Sequence, residues 1–316
     1  MRTALIIPTL NAGRYWTSLL LGIRRQSLVP DQIIVIDSAS DDDTIPLAEA
    51  AGCTVIRIDR QAFRHGGTRQ AAAQIAGEAE ILIYLTQDAI PAGREAFRRL
   101  VLAFDDPTIG AAYGRQLPRP VASAIEEHAR FFNYPPQSQV RSFESRAALG
   151  FKSIFFSNSF GAYRRDALFS IGGFAQDLNF GEDTLAVAHL HRTGWKTAYV
   201  AEALAEHSHS HSCLDEFRRY HTVGAFHRRE SWLTEQFGRI KGEGLRFVRS
   251  ELRYLSQRDP MKIPSALLRT IVKIAAYYIG RHWNCPPSLE NRSIQTDSKL
   301  HLRTRLQNRK SGFNSH

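Results

Sequence analysis

The chain has 316 residues, 41 Lys and Arg against 31 Asp and Glu, 43% hydrophobic residues and 3 Cys. That length supports a hydrophobic core without disulfide staples. Cys53, Cys213 and Cys285 are odd in number, far apart and outside any metal-binding spacing, which points to a reducing compartment. The net charge of +10, with His neutral, implies an anionic partner without choosing between a nucleotide, a nucleic acid and an acidic membrane surface.

The first apolar run, Met1-Arg-Thr-Ala-Leu-Ile-Ile-Pro8, is too short for a signal peptide and reads as a buried strand, so a cytoplasmic location is expected. Short β-branched runs at 4–7, 33–36, 55–58 and 81–85 alternate with helical patterns, which is an α/β arrangement. Between the first two, Trp16, Leu19, Leu20 and Ile23 recur at helical spacing and give one apolar face to cover a sheet; the helix must end before Pro30. Strands buried on both faces present their useful residues at their carboxyl ends. Those positions read Pro8-Thr9-Leu10-Asn11, Asp37-Ser38-Ala39-Ser40 and Thr86-Gln87-Asp88-Ala89. Asp37 and Asp88 are therefore candidate ligand contacts, with helix capping or turn formation as the competing reading.

After Gly114 the pattern changes to an irregular, aromatic and basic stretch that includes Phe131-Phe132-Asn133-Tyr134 and Phe155-Phe156-Ser157-Asn158, read as substrate-facing loops. Gly172-Gly173-Phe174 then leads to Gly181-Glu182-Asp183-Thr184, a helix expected over 184–192 and a short strand over 197–200. His207, His209 and His211 alternate, so an extended segment would aim all three one way, suiting metal or phosphate contact; an exposed polar edge is the alternative.

From Leu214 the chain is helical and basic. The apolar stretch at 264–283 holds Arg269, Lys273 and Arg281, which make it a poor membrane span. With Tyr277, these cations recur at four-residue steps along one stripe, opposite Leu268, Ile271, Val272, Ala275 and Ile279. A helix lying on an anionic bilayer and a helix packed on the rest of the protein both fit that pattern. Beyond Pro286 the chain is polar and reads as a mobile tail carrying Arg303, Arg305, Arg309 and Lys310.

The runs IIPTLNAG, IIVIDSASDDDT, HGGTRQAAAQIA, YLTQDAIP, GGF with FGEDTLAVAHLHRTGWK, and EHSHSH, in that order over about residues 1–230, resemble family 2 glycosyltransferases, above all their bacterial rhamnosyltransferase branch. The resemblance implies a GT-A nucleotide-diphospho-sugar transferase fold, a Rossmann-like mixed sheet flanked by helices, with a divalent metal (Mg2+ or Mn2+) and inverting sugar transfer. It divides the chain into a glycosyltransferase domain at 1–230, a helical and membrane-associating extension at 231–285 and a basic tail at 286–316.

Site roles follow from the same resemblance. Pro8, Thr9 and Asn11 line the base pocket and Asp37 bonds base or ribose, as a carboxylate accepts from the imide N–H of thymine or uracil. Gln87 and Asp88 meet the donor, with Asp88 and His207 on a cation that neutralises the departing diphosphate. Many relatives read Asp-x-Asp where Thr86-Gln87-Asp88 stands here. Arg69 is placed near the diphosphate. Arg218 and Arg219, just beyond the histidines, suit the leaving diphosphate or, equally, a solvated basic face. Asp183 is the base that takes the acceptor's proton, and Glu182 orients the acceptor or raises its neighbour's pKa. Acids that merely complement a helix dipole are the alternative.

The implied activity moves L-rhamnose from a dTDP-sugar donor, dTDP-L-rhamnose, to a lipid-linked glycan acceptor of the O-antigen kind, at the inner face of an anionic membrane. The Gln-x-x-Arg-Trp motif of processive synthases is absent, so a single addition per encounter is expected. A non-catalytic nucleotide-sugar-binding module and a basic nucleic-acid-binding protein are the readings of other classes; nucleic acid is not the expected partner, because no recognised motif accompanies the charge.

Overall fold

The structure is a computed structural model and describes residues 1–238 and 242–283. All four expected strands form, as β1 (Thr3–Thr9), β2 (Gln32–Asp37), β3 (Thr54–Arg57) and β4 (Ile81–Leu85), parallel in the order β3-β2-β1-β4. Every residue of β4 is buried, which explains its continuous apolar sequence. The sheet then continues through β5 (Ile90–Pro91), β6 (Ile109–Leu117), β7 (Gln139–Arg141), β8 (Phe160–Arg164) and β9 (Lys196–Glu206). Strand β8 inserts antiparallel between β4 and β6, and β6 pairs in parallel with β9, so the sheet is mixed. β9 is longer than the expected 197–200 strand because it stays paired with β6 past a register shift at Gly114/Arg115 and reaches Glu206.

The flanking helices are α1 (Trp16–Arg24), α2 (Thr44–Ala50), α3 (His65–Ile75), α4 (Ala96–Leu102), α5 (Ala124–Asn133), α6 (Arg146–Leu149), α7 (Arg165–Ser170), α8 (Glu182–Arg192), α9 (Cys213–Arg229), α10 (Ser231–Phe237), α11 (Glu243–Arg258) and α12 (Ile263–His282). Trp16, Leu19, Leu20 and Ile23 are all buried on α1, as their spacing predicts, each contributing about 1.5–3 kcal/mol of burial. The Trp16 indole N–H also donates to the Thr44 carbonyl at 2.9 Å.

Two glycine motifs distant in sequence lock together. The Gly66 N–H donates to the Leu178 carbonyl at 3.1 Å, and a Cβ on Gly66 would run into the Ala175 carbonyl oxygen. Gly173 sits at φ 81°, and the next N–H, that of Phe174, donates to Gln70 Oε1 at 2.9 Å. The amino end of α3 is thereby fixed to the loop that precedes α8.

The carboxyl ends of β1, β2, β4, β6 and β9 and the amino end of β8 meet along one edge. Ser38 N–H donates to Thr9 (2.9 Å), Thr86 N–H to Ser159 (3.2 Å) and His207 N–H to Leu117 (2.9 Å). This edge collects the site.

The described residues form two compact units, 1–210 with 230–238 and 242–266, and 211–229 with 267–283. Residues 231–266, which the sequence groups with the extension, thus lie in the first unit, and 211–229 lie in the second. In the second unit α9 and α12 approach closely at Gly224 and Gly280, where a Cβ would strike the carbonyl oxygens of Tyr277 and His221. The basic stripe of α12 faces α9: Arg269 donates to the His211 carbonyl at 2.6 Å, and Lys273 lies 3.3 Å from Glu216. Cys285, the 286–316 tail and its cations Arg303, Arg305, Arg309 and Lys310 lie outside the described residues.

Candidate functional site

At the ends of β1 and β2, Asp37 is completely buried, and its carboxylate accepts from Thr9 Oγ1 (2.8 Å), Ser40 N–H (2.7 Å) and Ser40 Oγ (2.5 Å). It braces the two turns beside Pro8, Thr9 and Asn11. Asn11 at φ 47° and Ala39 at φ 61° occupy the left-handed region, a strain of about 1–2 kcal/mol for Ala that the bonded turns hold in place. Asn11 Oδ1 accepts from Asp41 N–H at 2.9 Å. Gln87, expected at the donor, commits both ends of its amide to the Leu10 backbone, at 2.8 and 3.1 Å, clamping the turn after β4 to the turn after β1.

Asp88 follows that clamp. Its Oδ2 lies 3.4 Å from His207 Nε2 and 3.4 Å from His209 Nε2, and one donor atom from each residue fits within 4.8 Å of the others. The tautomer of His207 follows from its other nitrogen. Nδ1 is 2.8 Å from Gln116 Oε1, an oxygen that also receives the Arg130 guanidinium at 2.7 Å and so must be an acceptor. Nδ1 therefore carries the hydrogen and Nε2 presents a lone pair, buried and without a protein hydrogen-bond partner, toward a carboxylate oxygen. Burial holds His207 below its ordinary pKa against the opposing pull of Asp88, which keeps the ring neutral. Burial also acts against the charge on Asp88, while His207, His209 and the Thr86 hydroxyl draw it below the usual carboxylate range. A neutral His207 weakens that pull, yet a partly exposed carboxylate remains ionised at neutral pH. The His207 lone pair and the Asp88 carboxylate repel one another unless a cation sits between them, and His209 stands within reach as a third donor, so this set fits a divalent metal.

The second acid site is the amino end of α8, capped by Gly181 at φ 78°. Glu182 is buried and pairs with Arg69 at 3.2 Å, and its Oε1 accepts from Asn158 Nδ2 at 3.1 Å. Burial would raise Glu182, but Arg69 and the Asn158 hydrogen bond hold it below its ordinary value. Burial first, and then the charge of Glu182, push Asp183 up to about 7. Asp183 keeps two backbone partners, Asn158 N–H at 3.3 Å and Thr184 N–H at 2.7 Å.

The two acid sites are linked through side chains that sequence reasoning did not select. Gln116, bonded to His207, also donates to Ser157 Oγ at 2.9 Å, and the next residue, Asn158, donates to both acids of the pair. Arg119 is buried, bonds the Asp88 and Ser208 carbonyls, and lies 3.8 Å over the Tyr15 ring. With Glu206, Glu127 and Arg258 it lines a cavity of about 450 Å³. His209 carried a sequence signal, its alternation with His207, and Asn158 fell in a stretch read as a substrate-facing loop; Arg119 and Gln116 carried none. Arg69, expected beside a diphosphate, is instead buried against Glu182, since a guanidinium taken out of water needs a carboxylate. Arg219 lies exposed on α9 of the second unit, 3.4 Å from His211 Nε2.

A mixed sheet with carboxylates gathered at its strand ends defines the GT-A class of nucleotide-sugar transferases, and similarity to known proteins agrees. A glycosyl transferase family 2 model matches residues 4–172. The O-antigen chain rhamnosyltransferase RfbN of Salmonella typhimurium is 44% identical over 288 residues, 91% of this chain and 92% of that protein. WbaN of Salmonella anatum, also an O-antigen chain rhamnosyltransferase, is 40% identical over 284 residues, 90% of each. The mannosyltransferase PcManGT from Pyrobaculum calidifontis, solved with GDP-Man and Mn2+, shares the fold at a TM-score of 0.55 and 18% identity, over 95% of this chain and 80% of that one. The chain belongs to glycosyl transferase family 2 and is a glycosyltransferase.

Proposed function

We propose that the enzyme transfers L-rhamnose from dTDP-L-rhamnose, with inversion, to a hydroxyl of a lipid-linked O-antigen precursor at the cytoplasmic face of the inner membrane. The observation that carries the catalytic part is the continuous path Asp88–His207–Gln116–Ser157–Asn158–Asp183, which ties a metal-type cluster to an acid of raised pKa. The choice of sugar and acceptor rests on the two Salmonella relatives.

In this reading the turns at Pro8, Thr9 and Asn11, braced by Asp37, hold the thymine and ribose, and the Gln87 clamp fixes their distance from Asp88. Asp88, His207 and His209 hold the divalent cation, a mixed oxygen and nitrogen set that suits Mn2+ better than Mg2+. When bound, the cation neutralises charge on the diphosphate. Asp183 accepts the proton of the acceptor hydroxyl as its oxygen bonds to the anomeric carbon and the bond to the β-phosphate oxygen breaks, releasing dTDP. Arg69 keeps Glu182 ionised, and Glu182 keeps Asp183 basic near neutral pH. Arg119 positions the Asp88 turn, and the cavity beside it receives the acceptor.

The test is a donor panel offered to the purified protein with Mn2+ and an isolated lipid-linked precursor. Release of dTDP from dTDP-L-rhamnose, with an α-linked product, is the expected result. Turnover confined to other nucleotide sugars would overturn the rhamnose assignment, and binding without turnover would favour a non-catalytic module.

A further inference from the structure

We infer that the outward face of α12 is a membrane-docking surface that lies in the interface of an anionic bilayer. Helices at the surface of water-soluble proteins normally bury an apolar stripe and expose a charged one. Here the arrangement is reversed. Arg269 and Lys273 face Glu216 on α9, while Leu267, Leu268, Ile271, Ile274, Tyr278 and Trp283 are between 42% and 67% exposed. The first five recur at helical spacing along one side of α12, Trp283 follows its last turn, and no acid occurs from Pro260 to Trp283.

Two further features select lipid over a second copy of the chain. In the described part of the second unit, four arginines on α9 and three cations on α12 stand against two acids. The described part of the unit is therefore net positive, which draws it toward anionic headgroups and disfavours the pairing of two copies, although Arg269 and Lys273 themselves pack on α9. Tyr278 and Trp283 close the carboxyl end of the stripe with amphipathic rings, the residue types that settle at the headgroup level. No helix among the described residues is long and apolar enough to cross a membrane, which leaves docking in the plane of the interface. The inference deepens the proposed function by giving a lipid-linked acceptor a surface on which to be met.

The test is cosedimentation of the full chain with vesicles of phosphatidylethanolamine and phosphatidylglycerol, and with phosphatidylcholine alone. The wild type should partition onto the anionic vesicles, and the double variant Ile271→Gln/Ile274→Gln should partition about tenfold less or weaker still. Both positions are exposed, so the thermal midpoint should hold. Lipids brominated on their acyl chains should quench part of the tryptophan fluorescence, and Trp283→Phe should abolish that part. A wild type that ignores anionic vesicles, a double variant that binds as well as the wild type, or a dimer that the double variant dissociates would each overturn the inference. Activity on a water-soluble acceptor separates the two proposals: vesicle binding without any rhamnose transfer would defeat the functional assignment alone, and transfer without vesicle binding would defeat only the docking surface.

Discussion

Asp88 and Asp183 are both carboxylates at one edge of one sheet, yet the protein drives them in opposite directions. Asp88 is partly exposed and lies 3.9 Å from the Arg119 guanidinium, and both favour its charged form. Asp183 is desolvated beside another carboxylate, which favours its neutral form up to about pH 7. The contrast is what supports the roles proposed above: a group that stays ionised suits a ligand, and one that gains and loses a proton near neutrality suits a base. Neighbours within a few residues in space, rather than the residue type, create the difference.

The largest effect is expected where the contrast is erased at its basic end. Asp183→Asn keeps the shape, and its one amide oxygen can accept from only one of the two backbone N–H groups, but it removes proton transfer, so kcat should fall about 10²–10⁴-fold while dTDP binding holds. The same variant should be more stable than the wild type in alkaline buffer. The folded pKa of Asp183 is raised above the ordinary 3.8, so the native state binds the extra proton and its stability declines as pH rises from about 4 through about 7. Thermal melts should therefore show a higher midpoint for Asp183→Asn above neutrality and no gain near pH 4. At the other end, His207→Ala removes one of three donors, and Mn2+ affinity measured by titration calorimetry should fall about 100-fold, with the fold intact. Unchanged Mn2+ binding would remove the cation from the Asp88 cluster.

Much of this contrast is legible in the sequence. β1, β2 and β4 carry continuous apolar runs because they are buried on both faces, unlike the half-exposed edge strand β3, and Asp37 and Asp88 stand out because each closely follows such a run. Glu182 and Asp183 stand out at a helix start after glycines. The neighbours that set their charge are not legible, because the contacts are distant in sequence: 31 positions separate Asp88 from Arg119 and 91 separate Gln116 from His207. Arg69 is instructive. Its place near the start of a helix suggested phosphate, but only the fold reveals that α8 brings Glu182 to it. The inward turn of the α12 cations is hidden for the same reason, since a helical wheel gives two faces and Glu216, far upstream, decides which one packs.

The distant partners can be tested without touching either acid site directly. Gln116→Leu removes the oxygen that fixes the His207 tautomer while leaving all three metal-donor residues in place. Its Mn2+ affinity should fall about tenfold, the usual consequence of losing the group that orients a ligating imidazole. Arg130 would lose its acceptor as well, so Arg130→Gln serves as the control for that loss. If Gln116→Leu binds Mn2+ as the wild type does, His207 is held by packing alone.

The smallest and sharpest change is Glu182→Gln. The amide keeps the oxygen that accepts from Asn158 but carries no charge, and Arg69 is left as an unopposed cation. Both changes favour the ionised form of Asp183, one by removing a like charge and the other by adding an opposite one. The pKa of Asp183 should therefore drop from about 7. Because the base acts only when deprotonated, the acid limb of kcat/KM should move to lower pH, and activity relative to the optimum should rise in mildly acidic buffer. Catalysis above neutrality should fall modestly, since a weaker base abstracts the acceptor proton less readily. A limb that stays in place would mean that Glu182 does not set the basicity of Asp183 and that burial alone raises it.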